Sequence, residues 1–87
     1  MSVYLITYDL NRPGHSYEGL LQEIMKYDWA RLSESSYVID TEIRPKQLFE
    51  KLRPHIDDND NLAVIHLTSP WWVKLPKDVL YWLKNRL

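Results

Sequence analysis

A carboxylate at the end of an apolar strand is the first group in this sequence with a chemical use beyond packing. Asp9 closes the run Val3-Tyr4-Leu5-Ile6-Thr7-Tyr8, where the chain turns into the loop Leu10-Asn11-Arg12-Pro13-Gly14. From that position a side chain projects into a loop-lined crevice. Metal-assisted hydrolysis of a phosphodiester needs oxygen ligands for a hard cation and a means of activating water. One aspartate cannot hold Mg²⁺ alone, whereas two copies brought together by a dimer axis can, with waters and backbone carbonyls completing the shell. The competing use is structural, a side-chain cap on the turn at Asn11-Arg12-Pro13. Arg12 and Arg31 carry guanidinium forks that match phosphate oxygens in pairs, although most surface arginines are simply solvated. His15, beside Arg12, is a candidate proton donor or phosphate contact.

Other clusters fall away on spacing. His15, His55 and His66 lie at a loop, a helix end and a strand, and no pair has metal-ligand spacing. His66, inside an apolar run, is expected to be a hydrogen-bonded structural residue, and His55 to meet the carbonyl end of a helix. Asp57, Asn59 and Asn61 begin like a calcium loop, but Leu62 stands where its glycine must be and no Glu follows at the right distance. Ser33, Ser35 and Ser36 have neither an adjacent His nor the glycines of a nucleophile elbow. Lys46, Lys51 and Arg53 alternate with Glu50, which describes a mixed solvent face. Trp71, Trp72, Tyr81 and Trp82 can stack on bases, or pack in a core or a dimer face.

These groups must be positioned by a short chain. It has 87 residues, with 11 Lys plus Arg against 12 Asp plus Glu, no cysteine and only 2 glycines. The net charge of −1 removes the simplest nucleic-acid argument, a strongly basic footprint, but leaves room for a local basic patch. Without cysteine there is no disulfide framework and no thiolate chemistry. A domain this small gains stability by oligomerising, so a homodimer is expected. No apolar run approaches a membrane span, and the start Met1-Ser2-Val3-Tyr4 lacks the basic region of a secretory signal, which points to a cytoplasmic protein.

Short turn signals divide one domain, 1–87, with a core over about 3–68 and an aromatic C-terminal extension over 69–87. Val3–Tyr8 reads as a central strand, apolar on both faces. Tyr17, Leu20, Leu21, Ile24 and Met25 follow helical spacing, with Ser16 as N-cap. Trp29–Ser33 and Ser36–Thr41 read as a hairpin turning at Glu34-Ser35. Pro45 opens a second helix whose buried stripe is Leu48, Phe49, Leu52 and Ile56, ending near Leu52 to His55. Asp57–Asn61 is a polar turn, and Leu62–Leu67 a buried strand. Val79, Leu80, Trp82 and Leu83 behind Pro76 predict a closing helix. The order βαββαβ around one antiparallel sheet predicts an α+β, ferredoxin-like sandwich with both helices on one face, the other face open, and an added C-terminal helix.

The terminal Tyr8-Asp9-Leu10 of the first strand, the helix from Tyr17, the serine-bearing hairpin Trp29–Thr41 and Ile56–Leu62 before the last strand together resemble the small CRISPR-associated protein two family. The likeness is closer to its stand-alone SinR-like relatives, and more distant to the VapD-type toxin ribonucleases. It spans roughly Val3 to Thr68. The resemblance implies a ferredoxin-like homodimer formed by pairing of sheet faces, with Asp9 close to its symmetry mate; some members of the family use that pair with a divalent metal, here expected to be Mg²⁺ or Mn²⁺, to cut RNA or DNA, and others bind nucleic acid or a protein without cleavage. Tyr8 takes its place beside Asp9, and Arg12 and Arg31 become nucleic-acid contacts; His15 joins them on its own residue type and its place beside Arg12, outside what the resemblance implies. The basic run that many members carry after the aspartate is reduced here to Arg12, and a Trp-rich helix stands in place of the usual final strand. The expected function is a dimeric metal-dependent endonuclease, acting on RNA before DNA. The alternative is a non-catalytic homodimeric adaptor that binds nucleic acid or a protein through its sheet face and aromatic tail, with Trp71 and Trp72 as partner or dimer surface.

Overall fold

Alternating β-branched and aromatic residues build four strands, and three stretches of 3.6-residue periodicity build helices. A computed structural model describes residues 2–11 and 17–87. The order is β1 (Ser2–Asp9), α1 (Glu18–Ile24), β2 (Asp28–Ser33), β3 (Ser36–Thr41), α2 (Pro45–Leu52), a 3-10 turn (Arg53–His55), β4 (Asn61–Leu67) and α3 (Lys77–Lys84). The strands form one antiparallel sheet ordered β2-β3-β1-β4, so the protein is α+β with β1 in the interior of the sheet. Ser16 lies outside the described residues. No described helix is long and apolar enough to cross a membrane.

Residues paired across strands share a face, and the pairing sorts the sheet into two surfaces. On the first, Tyr4, Ile6 and Tyr8 of β1 and Tyr37 and Ile39 of β3 meet Leu20 and Ile24 of α1 and Leu48 and Leu52 of α2. Most of these side chains are fully buried. Gly19 lets α1 approach closely, because a Cβ there would stand 2.6 Å from His55 Nδ1. His55 thus lies against α1.

The second surface carries Val3, Ala30 and Val38, and α3 covers it with Val79 and Leu83 while Trp71, Leu75 and Trp82 pack around them. The sequence leaves this face open for a second subunit, yet the chain's own tail closes much of it. A polar clasp fixes the helix. Trp82 Nε1 donates to Asp28 Oδ1 at 3.0 Å, Arg86 Nε and Nη2 donate to Asp28 Oδ2, and the guanidinium lies 4.2 Å from the Trp82 ring centre. Arg86 Nε is also 3.4 Å from Asp40 Oδ2, and Asp40 is the register partner of Asp28. The Arg86 hydrogen bond holds the Asp28 carboxyl below its ordinary range, against a smaller opposing effect of burial. Asp40 Oδ1 is buried without a hydrogen-bond partner among the described residues.

Two expectations change because β4 is an edge strand. It has one neighbour, so Ile65 and His66 are exposed rather than buried. His66 packs its ring on Tyr4, centroids 5.5 Å apart, and makes no hydrogen bond among the described residues. At the other edge Trp29 meets Tyr37 edge-on and stays partly exposed.

Candidate functional site

Asp9 is the last residue of β1 and the register partner of Asn61, the first residue of β4. Directly opposed residues place their Cβ atoms about 4.5–5.5 Å apart on one face. By the alternation of the strand that face is the second surface, the side on which α3 packs. The hydrophobic cluster under α3 includes Val3 and Leu5 but does not reach Thr7 or Asp9. Thr7, paired with Ser36 on one side and Ala63 on the other, completes the neighbourhood. A shallow groove of about 240 Å³ runs past Thr7, Tyr8, Asp9, Asn61, Leu62 and Ala63.

Asp9 is exposed, and among the described residues its carboxylate has neither a hydrogen bond nor an ion pair. At Asn11, the described part of the turn it was expected to cap, another carboxylate accepts the backbone N–H. Asp60, buried at 9% exposure, accepts the Asn11 backbone N–H at 2.7 Å, the Asp57 N–H at 2.8 Å and the Tyr17 hydroxyl at 3.0 Å. Asn11 Nδ2 adds a bond to the Asn59 carbonyl at 2.7 Å. One carboxylate thereby ties the chain leaving β1 to the chain approaching β4, so Asp9 and Asn61 emerge from a braced frame. Sequence reasoning missed Asp60, since nothing in Asp57-Asp58-Asn59-Asp60-Asn61 singles it out from its neighbours.

Tyr8 braces the frame from beneath. Its ring is buried among the first-surface residues, its hydroxyl donates to the Glu34 carbonyl at 3.2 Å, and its N–H bonds the Ser35 carbonyl at 3.0 Å. Burial pushes its phenol above the ordinary value, with the charge of Tyr37 adding and Arg31 opposing. The expected contact of Tyr8 with nucleic acid therefore meets a core side chain that positions its neighbour. Arg31 pairs with Tyr37 and so shares the Tyr8 face, opposite to Asp9, with its Nε donating to the Ser33 carbonyl at 3.0 Å. One chain does not bring Arg31 and Asp9 to the same phosphate. Arg12 and His15 lie outside the described residues. In the tail, Trp71 packs on the second cluster whereas Trp72 is 98% exposed.

The donors beside the groove are hard oxygens: a carboxylate, the carboxamide oxygen of Asn61 and the hydroxyl of Thr7. They suit Mg²⁺ or Mn²⁺ in chemical type. In number they fall short, for no group of three or more His, Cys, Asp or Glu able to hold a metal occurs among the described residues. A second Asp9 from a partner chain would supply the missing negative charge. No model of a known protein family matches the chain, and no curated protein sequence matches it significantly.

Proposed function

We propose that the protein is a homodimeric, divalent-metal-dependent endonuclease of ferredoxin-like fold that hydrolyses phosphodiester bonds in RNA in preference to DNA, in the cytoplasm. The observation that carries this reading is the placement of Asp9, an exposed carboxylate without a hydrogen bond or ion pair among the described residues, held by a braced interior strand at the end of the sheet face that α3 leaves open. The strand order β2-β3-β1-β4, with α1 and α2 on one face, supports the ferredoxin-like assignment and its likeness to the CRISPR-associated protein two family.

In this reading the two Asp9 carboxylates of a dimer face one another and hold Mg²⁺ or Mn²⁺, with Asn61 and Thr7 as neighbouring oxygen donors. Bound there, the ion supplies Lewis acidity at a phosphoryl oxygen and makes water a competent nucleophile near neutral pH. The chain's own part is to fix the donors. Tyr8 locks the end of β1 to the β2–β3 turn, and Asp60 locks the following loop to β4. Arg12 and His15 follow Asp9 in sequence and are assigned to phosphate, while Arg31 reaches the substrate only from the other face. Hydrolysis adds one water across a P–O bond, leaving a phosphate on one fragment and a hydroxyl on the other.

The test is cleavage of single-stranded RNA and duplex DNA with Mg²⁺, Mn²⁺ or EDTA, comparing wild type with an identically purified Asp9→Asn variant. RNA cutting that needs metal and vanishes in Asp9→Asn is expected. Retained metal-dependent cutting in that variant sinks the assignment. No cutting by either protein favours the non-catalytic adaptor.

A further inference from the structure

Charge and aromatic rings are segregated along this chain. Before Thr68, seven Lys and Arg stand against eleven Asp and Glu, whereas from Thr68 to Leu87 Lys74, Lys77, Lys84 and Arg86 stand against Asp78 alone. The same segment holds Trp71, Trp72, Tyr81 and Trp82. Part of this set is committed to the fold: Arg86 and Trp82 to Asp28, Trp71 to the second cluster. What remains is outward-facing. Trp72 is 98% and Tyr81 66% exposed, and Lys74, Lys77 and Lys84 are exposed beside them.

On α3, Lys77, Leu80, Tyr81 and Lys84 recur at i, i+3, i+4 and i+7 and so form one stripe, flanking the buried Val79 and Leu83. Beside that stripe Trp71, Trp72, Val73, Leu80 and Lys84 line an open groove of about 310 Å³. Burying apolar surface is the ordinary reason for a tryptophan in so small a protein, and Trp72 buries almost none. A flat ring presented to solvent among cations matches a polymer of flat rings and anions. Stacking gives affinity to every base, and the lysines answer the backbone charge.

We propose that this groove and stripe bind single-stranded RNA, with Trp72 and Tyr81 as stacking platforms and Lys77 and Lys84 as backbone contacts. Only the choice of RNA rests on the nuclease reading; the track packs on the Asp9 side of the sheet and gives the substrate a path of its own. The acidic remainder of a second copy would answer the lysines as well as a polyanion does, but a single-stranded polynucleotide also brings a run of planar rings for Trp72 and Tyr81, and that favours it. An anionic membrane is the weaker fit, because only Leu80 and Tyr81 separate the two lysines along the stripe and Leu80 is already half-buried.

Binding is read apart from cleavage, in EDTA, by the fluorescence anisotropy of a fluorescein-labelled single-stranded RNA of about 12 nucleotides, within the usual site sizes of such modules. Wild type is compared with Trp72→Ala, Tyr81→Ala, Lys77→Glu/Lys84→Glu and Asp9→Asn. Circular dichroism checks each fold, and the near-complete exposure of Trp72 keeps its variant free of a core defect. The expected result is about tenfold weaker binding in Trp72→Ala and a flatter salt dependence in the lysine double variant. Equal binding by wild type, Trp72→Ala and Tyr81→Ala overturns the proposal. So does a wild type that ignores RNA but binds vesicles of mixed phosphatidylserine and phosphatidylcholine. Loss of the dimer in Trp72→Ala, seen by sedimentation, overturns it as well by making the patch an interface between copies. Loss of cleavage in Asp9→Asn with binding intact bears on the nuclease reading alone.

Discussion

The two faces of the sheet are built on different rules. Beneath α1 and α2, large apolar side chains from five elements close into a core in which Ile6, Leu20, Ile24, Ile39, Leu48 and Leu52 lose all contact with solvent. Under α3 the packing is thinner and is supplemented by ions: a smaller cluster, an apolar groove of about 140 Å³ beside Leu83 and Trp71, and the Arg86–Asp28–Asp40 clasp. Past the end of that cluster the same face carries Thr7, Asp9 and Asn61 in the open. The first face gives the domain its stability, and the second keeps an exposed carboxylate on a rigid strand.

The largest effect that tests this contrast is in the first face. Leu48→Ala should cost about 4 kcal/mol, and Leu83→Ala, next to existing empty space and less completely enclosed, about 2 kcal/mol. Urea midpoints measure both, and equal losses would erase the distinction between the faces.

Next comes the brace. Asp60→Ala removes the acceptor of two backbone N–H groups and a tyrosine hydroxyl and should destabilise by about 3 kcal/mol. Amide exchange at Asn11 and Asp57 should accelerate before the rest of the sheet responds. Unchanged exchange there would show that the frame around Asp9 is held by something else.

The smallest effect is at the clasp. Arg86→Ala leaves the Asp40 carboxylate, whose Oδ2 faces Arg86 Nε, and a half-exposed Asp28 without their cation, and about 1–2 kcal/mol is expected after allowing for solvent screening. Because the folded Asp28 carboxyl lies below its unfolded value of 3.8, its contribution is complete above that pH and disappears as pH falls through the folded value. Wild type should therefore lose stability relative to Arg86→Ala as acid is added below about pH 4. A constant gap across that window would remove Asp28 from the clasp.

Much of this was legible in the sequence because local pattern and tertiary role agreed. Pro45 opened α2, Leu48 and Leu52 of its expected stripe are buried while Phe49 is exposed, Glu34-Ser35 turned the hairpin, and Pro76 preceded α3. Errors arose where the answer lay in a distant element. Leu62–Leu67 is as apolar as an interior strand, yet its place at the edge depends on which strand pairs beside β1, and that exposes Ile65 and His66. The covering of the second face depends on residue 86 reaching residues 28 and 40, a separation that no periodicity reports. At the site, Asp9 was legible because a strand end followed by a loop is a local signal. Asp60 was not, since its partners among the described residues are spread over Asn11 to Asp57. Arg31 was placed with Asp9 by residue type alone, and the two-residue alternation of β2 set it on the opposite side.

The central claim is that two Asp9 carboxylates share one ion. Electron paramagnetic resonance of Mn²⁺ titrated into the protein, with its mass followed by sedimentation, tests this directly. One Mn²⁺ bound per two chains in wild type and none in a still dimeric Asp9→Asn variant is the predicted result. Mn²⁺ uptake undiminished by Asp9→Asn, or one ion bound per monomeric chain, would contradict it.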